Sequence, residues 1–269
     1  MKNAGIALLI LMSVFLTAGI VHGETTNEMW FPVGEELEYT LYWGILPVGE
    51  ARVVTGWIEE DGKQLLSIKF MAQTGPVVSR IYPIRDCAES VVDPVTFRPI
   101  RFTQEISEGK KRRNDSVVFD YSNCVATCTS SVSSTSTNLA IDADTRDLIS
   151  FVYYMRSKGY EKGQTQKFKV LVDDDIYELH ITGLEKEEIY LSHFGYVRCL
   201  NLEPKAKFGE LFVRKGKVNV WFSDDARKIC CRLVGVVPVA NVKAILQSVK
   251  GPGEDFWTSG KKRKKRSGD

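Results

Sequence analysis

Glu36-Leu37-Glu38-Tyr39-Thr40-Leu41-Tyr42-Trp43 is the stretch on which the fold turns. Leu37, Tyr39, Leu41 and Trp43 alternate with Glu36, Glu38, Thr40 and Tyr42. Successive side chains of an extended chain point to opposite faces, so a period of two marks a strand with one apolar and one more polar face. Working outward, Leu46-Pro47-Val48-Gly49 reads as a turn and 51–57 as the returning strand. Asp61-Gly62 is a hairpin signal, because both residues tolerate positive φ, and 65–73 continues the meander. The same pattern recurs at 100–106, 116–121, 124–130, 166–172, 176–182, 188–191, 195–202, 217–222, 228–234 and 239–247, mostly separated by Gly and charged turn residues. Such spacing predicts an all-β sheet.

One segment departs from that period. Leu148, Phe151, Val152 and Met155 fall at i, i+3, i+4 and i+7, which predicts a helix over about 144–160. Asp144 or Thr145 is its expected cap and Gly159 its end. Residues 130–138 are rich in Ser and Thr with little apolar content and read as a loop or a poorly ordered connection. No internal repeat and no domain break is visible. The expected architecture is a mainly-β single domain over 24–250: a large curved antiparallel sheet or barrel-like meander with one packed helix.

The ends of the chain carry separate messages. Met1-Lys2-Asn3 is a short positive start, 4–20 is almost wholly apolar, and Val21-His22-Gly23 places small or β-branched residues before Glu24. That is the layout of a cleavable secretory signal over 1–23, so the protein is expected to be exported, periplasmic or otherwise extracytoplasmic. An uncleaved anchor is the alternative, but an apolar run of about 17 residues is at the lower limit for a span, and no Lys/Arg cluster follows it.

Charge is unevenly spread. The chain has 36 Lys and Arg against 34 Asp and Glu, yet six of those cations (Lys261, Lys262, Arg263, Lys264, Lys265 and Arg266) lie in the last ten residues. The body is therefore mildly acidic, and 251–269 reads as a disordered basic tail. Export argues against nucleic acid as its partner. An anionic membrane surface is the expected contact, each cation contributing up to about 1 kcal/mol there; a tail that only solubilises is the alternative.

The opening Phe31-Pro32-Val33-Gly34-Glu35-Glu36-Leu37-Glu38-Tyr39-Thr40-Leu41-Tyr42-Trp43-Gly44, followed by Val48-Gly49-Glu50-Ala51, resembles an uncharacterised family of exported bacterial proteins, domain of unknown function 3108. Asp147-Leu148-Ile149-Ser150-Phe151-Val152-Tyr153-Tyr154-Met155-Arg156 is similar to its aspartate-led helix. Residues 215–228, with Trp221 and Asp224-Asp225, are similar to its late strand-turn-strand. The chain departs at Ile229-Cys230-Cys231-Arg232, where the family commonly has a proline. The resemblance implies a mostly β envelope protein and no established activity.

The search for chemistry returns little. The six cysteines, Cys87, Cys124, Cys128, Cys199, Cys230 and Cys231, are an even number in a chain expected to be exported, which favours disulfides, although six allow fifteen pairings. Cys124 and Cys128 on one strand would lie about 13 Å apart, too far to bridge. Zinc would want a CxxC-like knuckle or His partners, and neither is present. His180 and His193 stand apart from any Ser or Cys nucleophile motif, and no GxSxG or HExxH occurs. Asp173-Asp174-Asp175 lacks the spacing of a calcium loop. No Gly-rich phosphate loop is present, and no cofactor is implied.

The expected function is a non-catalytic binder or carrier of an apolar or lipid-like ligand in the cell envelope. Its candidate cavity residues are Trp43, Phe70, Phe102, Tyr154, Arg156 and Trp221. Arg156 has three readings: complementing the helix dipole, pairing with a carboxylate, or gripping a ligand headgroup. The alternatives are an interaction or scaffolding module in envelope assembly and, further off, a hydrolase with a dispersed site.

Overall fold

The computed structural model describes residues 29–133, 135–206, 218–236, 241–254 and 257. Its strands are β1 Glu36–Trp43, β2 Leu46–Glu60, β3 Lys63–Thr74, β4 Arg85–Val92, β5 Pro99–Glu108, β6 Lys111–Asp120, β7 Val125–Ser130, β8 Thr135–Ala140, β9 Thr145–Asp147, β10 Thr165–Val172, β11 Asp175–Leu191, β12 Gly195–Ala206, β13 Val218–Ser223, β14 Cys230–Val236 and β15 Asn241–Lys250. A short helix α1, Pro76–Ser79, follows β3, and α2, Leu148–Arg156, follows β9. No helix among the described residues is long and apolar enough to cross a membrane.

All fifteen strands form one sheet in the order β8-β7-β6-β5-β4-β3-β2-β1-β15-β14-β13-β12-β11-β10-β9. Two meanders thus run outward from the central β1–β15 pair, and only β9–β10 is parallel. Laid flat, such a sheet would hold its edges about 67 Å apart at the usual strand spacing. The chain between Ala140 and Thr145 spans at most about 18 Å. Connectivity alone therefore makes the sheet curl until its two ends approach each other. Leu171 of β10 packs with Val117, Phe119 and Ala126 of β6 and β7 inside that curl.

Helix α2 fills the interior. Phe151 and Met155 pack with Val170, Leu179, Leu202 and Phe222 on one side, and Tyr153 packs with Phe31, Leu66, Ile68 and Phe97 on another. A third cluster joins the central strands through Leu37, Tyr39, Cys199, Trp221 and Leu246.

The helix is shorter than its pattern predicts. Thr145–Asp147 pairs with Lys169–Leu171 as β9 instead of entering the helix. The cap is Asp147, whose Oδ1 accepts from the Ile149 and Ser150 backbone N–H groups, each at 2.9 Å. At the other end Ser157 is the C-cap.

Other boundaries also move. The β1–β2 turn is Gly44-Ile45, with Gly44 at φ +63°, as a two-residue hairpin with glycine first requires. Leu46 and Pro47 already belong to β2. Gly49 serves a close approach, since a Cβ there would meet the Gln73 carbonyl oxygen at 2.3 Å. The 176–182 and 188–191 stretches form one strand, β11, with an irregularity between Gly183 and Lys186. Part of the Ser/Thr-rich 130–138 stretch is strand β8, and β4 carries no sequence signal. On β4, Ala88, Ser90 and Val92 occupy one face, opposite Phe70, Ile68 and Leu66; small and polar residues there erase the alternation that would announce a strand.

Candidate functional site

Two features stand out: a buried charge cluster that locks the interior, and a cleft at one end of the curl. The first centres on Glu35, which is fully buried just before β1. Arg156, from the last turn of α2, donates through Nη1 and Nη2 to its two carboxylate oxygens at 2.6 and 3.0 Å. Arg227, in the β13–β14 turn, adds Nη2 at 2.5 Å, and the Tyr153 hydroxyl donates at 3.3 Å. Burial pushes the Glu35 carboxyl up, but Arg156 and Arg227 outweigh it and hold the group below its ordinary value. Arg156 also donates to the Arg227 carbonyl at 2.9 and 3.1 Å, and Arg227 to the Gly253 carbonyl at 3.0 Å. One node thus ties the entry to β1, helix α2, a late turn and the segment after β15. Asp225, beside it, accepts from the Arg227 backbone N–H and the Ser223 hydroxyl, holding the turn that aims Arg227.

The cleft has a volume of about 480 Å³. It is assembled by register. Phe102, Val117, Cys128 and Thr137 form one continuous rung across β5, β6, β7 and β8. Two residues further along each strand, Gln104, Asp115, Ser130 and Thr135 form the next rung on the same face. The deeper rung is largely apolar and the outer one polar. Leu148, Leu171 and Val172 face the deep part, while Asp173 and Asp174 of the β10–β11 turn stand at the mouth. Arg113 donates to Asp173 at 2.8 Å and contacts Asp115, so β6 is tied across the mouth to the opposite end of the sheet. Burial raises the Asp115 carboxyl, but Gln104, Ser130 and Arg113 together bring it below its ordinary value, which makes it a fixed negative charge.

Of the six residues expected to line a cavity, Phe102 alone lies in this cleft. Trp43 is 46% exposed at the end of β1. Phe70 packs half-buried against the central cluster, and Trp221 lies within it, its Nε1 donating to Glu187 and Arg232 stacked 3.9 Å over its ring. Tyr154 borders a separate pocket. Arg156 does not offer a headgroup grip, because Glu35 and the Arg227 carbonyl engage its guanidinium. Cys87, Cys124, Cys128, Cys199 and Cys230 are free thiols in this structure. Cys128 instead serves as a small apolar residue of the cleft, and Cys199 and Cys231 as core. The signal stretch 1–23 and Lys261, Lys262, Arg263, Lys264, Lys265 and Arg266 lie outside the described residues. Trp257, placed by sequence in the tail, is buried in the central cluster and meets Phe194 edge to face at 4.2 Å.

Sequence reasoning missed Glu35, Arg113, Asp115, Val117 and Leu171. Val117 and Leu171 sit on predicted strands, but nothing local says that two strands 54 residues apart in sequence face each other across one cleft.

Fold and cleft together define a barrel-like antiparallel β protein with an internal helix and an amphipathic opening. The chain matches the family described as Protein of unknown function (DUF3108) over residues 38–247 and belongs to that family. No curated protein matches it. Among solved structures it is similar to a crystal structure of a beta-barrel-like protein of domain of unknown function DUF1849 from Brucella abortus. Identity is 8%, the TM-score is 0.55, and the match covers 82% of this chain and 98% of that one. At that identity the likeness concerns the fold alone.

Proposed function

We propose that the protein works outside the cytoplasm as a non-catalytic binder or carrier of an amphipathic, lipid-like molecule held in the β5–β8 cleft. The observation that carries this reading is the pair of stacked rungs, apolar Phe102-Val117-Cys128 below polar Gln104-Asp115-Ser130. A chain or ring seats against the deeper rung while a polar head stays at the mouth. The volume falls within the range of roughly 300–1,000 Å³ typical of small-molecule sites. The apolar 4–20 stretch supports export, and N-terminal sequencing of protein from a cell-envelope fraction tests it: Glu24 should be the first residue.

Catalysis has less support. A general acid needs a raised carboxyl open to substrate. Among the described residues the carboxyl held above its ordinary value is Asp147, where burial outweighs its hydrogen bonds, and it is fully buried holding the helix cap.

The test is a fluorescent long-chain fatty acid titrated into the purified protein and into Cys128→Trp, which fills the cleft from its floor. Saturable, stoichiometric enhancement in the wild type and its loss in a folded Cys128→Trp are expected. No saturable enhancement, or equal binding by the filled variant, would overturn the carrier reading.

A second reading, an interaction module, is favoured by β8. It is the edge of the sheet, largely exposed, and Thr135-Ser136-Thr137-Asn138-Leu139-Ala140 carries none of the charges that usually guard an edge. Self-pairing there predicts concentration-dependent dimers in sedimentation velocity that Ser136→Lys with Asn138→Lys abolishes.

A further inference from the structure

A second pocket, of about 320 Å³, opens where the three-residue β9 leaves the rest of the β10 edge uncovered, beside the end of α2. Arg146 of β9 lines it and is 4% exposed. Burying a guanidinium is costly unless a counter-charge accompanies it. No carboxylate forms an ion pair with Arg146 among the described residues. Its Nε donates to the Phe97 carbonyl at 3.3 Å and its Nη1 to the Asp144 carbonyl at 2.9 Å, both neutral acceptors. Desolvation accordingly lowers its affinity for the proton, against partial support from Tyr154, Tyr121 and Asp144.

A second cation stands on the same ring. The Arg146 guanidinium carbon lies 3.6 Å from the Tyr154 ring centroid, and the Lys158 ammonium lies 4.2 Å from it. Lys158 also lines the pocket and likewise forms no ion pair among the described residues. Two positive groups gathered on one aromatic ring repel each other, and stacking on the ring offsets that only in part. Of the other charged residues of the lining, Lys169 pairs with Asp142 and Glu178 with His180, while Lys167 adds a cation and Asp144 a carboxylate.

We propose that this pocket binds a phosphate or phosphomonoester group between Arg146 and Lys158. Arg146 and Lys158, neither of them in an ion pair among the described residues, match a group carrying nearly two negative charges at neutral pH. The planar guanidinium fork and the point-like ammonium suit its several acceptor oxygens. The pocket is lined by residues distinct from those of the β5–β8 cleft, so the proposal stands independently of the carrier reading. Free phosphate and the phosphorylated head of a larger molecule share this chemistry.

Calorimetric titration of the purified protein in phosphate-free buffer, with inorganic phosphate and separately with glycerol 3-phosphate, tests it. Saturable one-site binding of at least one of the two is expected. Similar affinities identify free phosphate as sufficient, and roughly tenfold tighter binding of glycerol 3-phosphate identifies an esterified head. Lys158→Gln should weaken binding about tenfold or more, and Arg146→Gln should weaken it further, consistent with loss of charge-assisted hydrogen bonds. Lys158→Gln makes the decisive comparison, because Lys158 supports no internal ion pair whose loss would unfold the chain. Saturation by neither ligand, or unchanged binding by folded Lys158→Gln, overturns the proposal.

Discussion

Arg156 meets Glu35 as a two-pronged pair, Nη1 and Nη2 at 2.6 and 3.0 Å from the two carboxylate oxygens, although the residues are 121 positions apart in the chain. Both side chains are essentially solvent-free, with 2% and 0% exposure. A surface pair of this kind would matter little. Here removal of Glu35 strands charge in the core, and removal of Arg156 takes away the two-pronged half of its counter-charge. Arg156→Met leaves Glu35 with Arg227 and the Tyr153 hydroxyl, and Glu35→Gln leaves two buried guanidinium groups facing a neutral amide. Each should cost about 3–5 kcal/mol. Denaturant unfolding of each variant checks this, and a loss below 1 kcal/mol in both would mean the node is not a structural lock.

The same pair sets a pH dependence. The folded carboxyl of Glu35 titrates below its ordinary value. Its contribution is therefore fully present above the unfolded carboxylate value, about 4.3, and is lost as pH falls through the lower folded value. Asp147 has the opposite sign. Burial raises it despite Ser90, Ser150 and Ile149, so its contribution is fullest below the ordinary carboxylate value and fades as pH rises through the folded one. Stability curves from pH 7 to pH 3 should show Glu35→Gln losing less than the wild type on acidification, and Asp147→Asn losing more. Parallel curves for all three proteins would contradict both assignments.

Asp147 also ties the helix to the sheet. Its Oδ2 accepts from the Ser90 hydroxyl of β4 at 2.6 Å and from the Ser150 hydroxyl at 2.7 Å, while its Oδ1 caps α2. Asp147→Ala removes the cap and leaves a buried Ser90 hydroxyl without its acceptor. The expected cost is about 2 kcal/mol or more. Asp147→Asn keeps a capping oxygen and no longer buries a charge, so it should cost less. Thermal unfolding of the two variants ranks them, and the reverse order would show that the carboxylate charge itself is needed.

Thiol reactivity should follow burial. Cys124 is exposed in the β6–β7 turn, at φ +55°. Cys128 and Cys199 are buried, and burial pushes the Cys230 thiol up to about 12. Thiolate is the reactive form. A maleimide pulse on native protein, read by peptide mass spectrometry, should label Cys124 first and leave Cys128, Cys199 and Cys230 unmodified until denaturant is added. Early labelling of Cys128 would show the cleft opening beyond the structure described.

The strand content was legible because most strands bury one face, and alternation such as Leu37-Tyr39-Leu41 records that burial directly. It failed at β4 and β8, for different reasons. On β4 the inward face carries Ala88 and Ser90, the latter pointed at Asp147. On β8 the outer edge has no strand partner among the described residues, and the chain there is nearly all Ser, Thr and Asn. Helix α2 was legible as a stripe, but its start was not. Thr145-Arg146-Asp147 joins β10, and a parallel partner 24 residues downstream leaves no local mark.

The sequence by itself determined the alternating strands, the internal helix, the family and the charge asymmetry between body and tail, because each depends on neighbours within a few residues. The tertiary structure alone decided that Arg156 belongs to Glu35 rather than to a ligand, that Phe102, Val117, Cys128 and Leu171 share one cleft, and that Arg146 and Lys158 flank Tyr154. Those outcomes depend on strand register and on a short link that draws the two ends of a fifteen-stranded sheet together, and periodicity along the chain carries no information about which distant strands will meet.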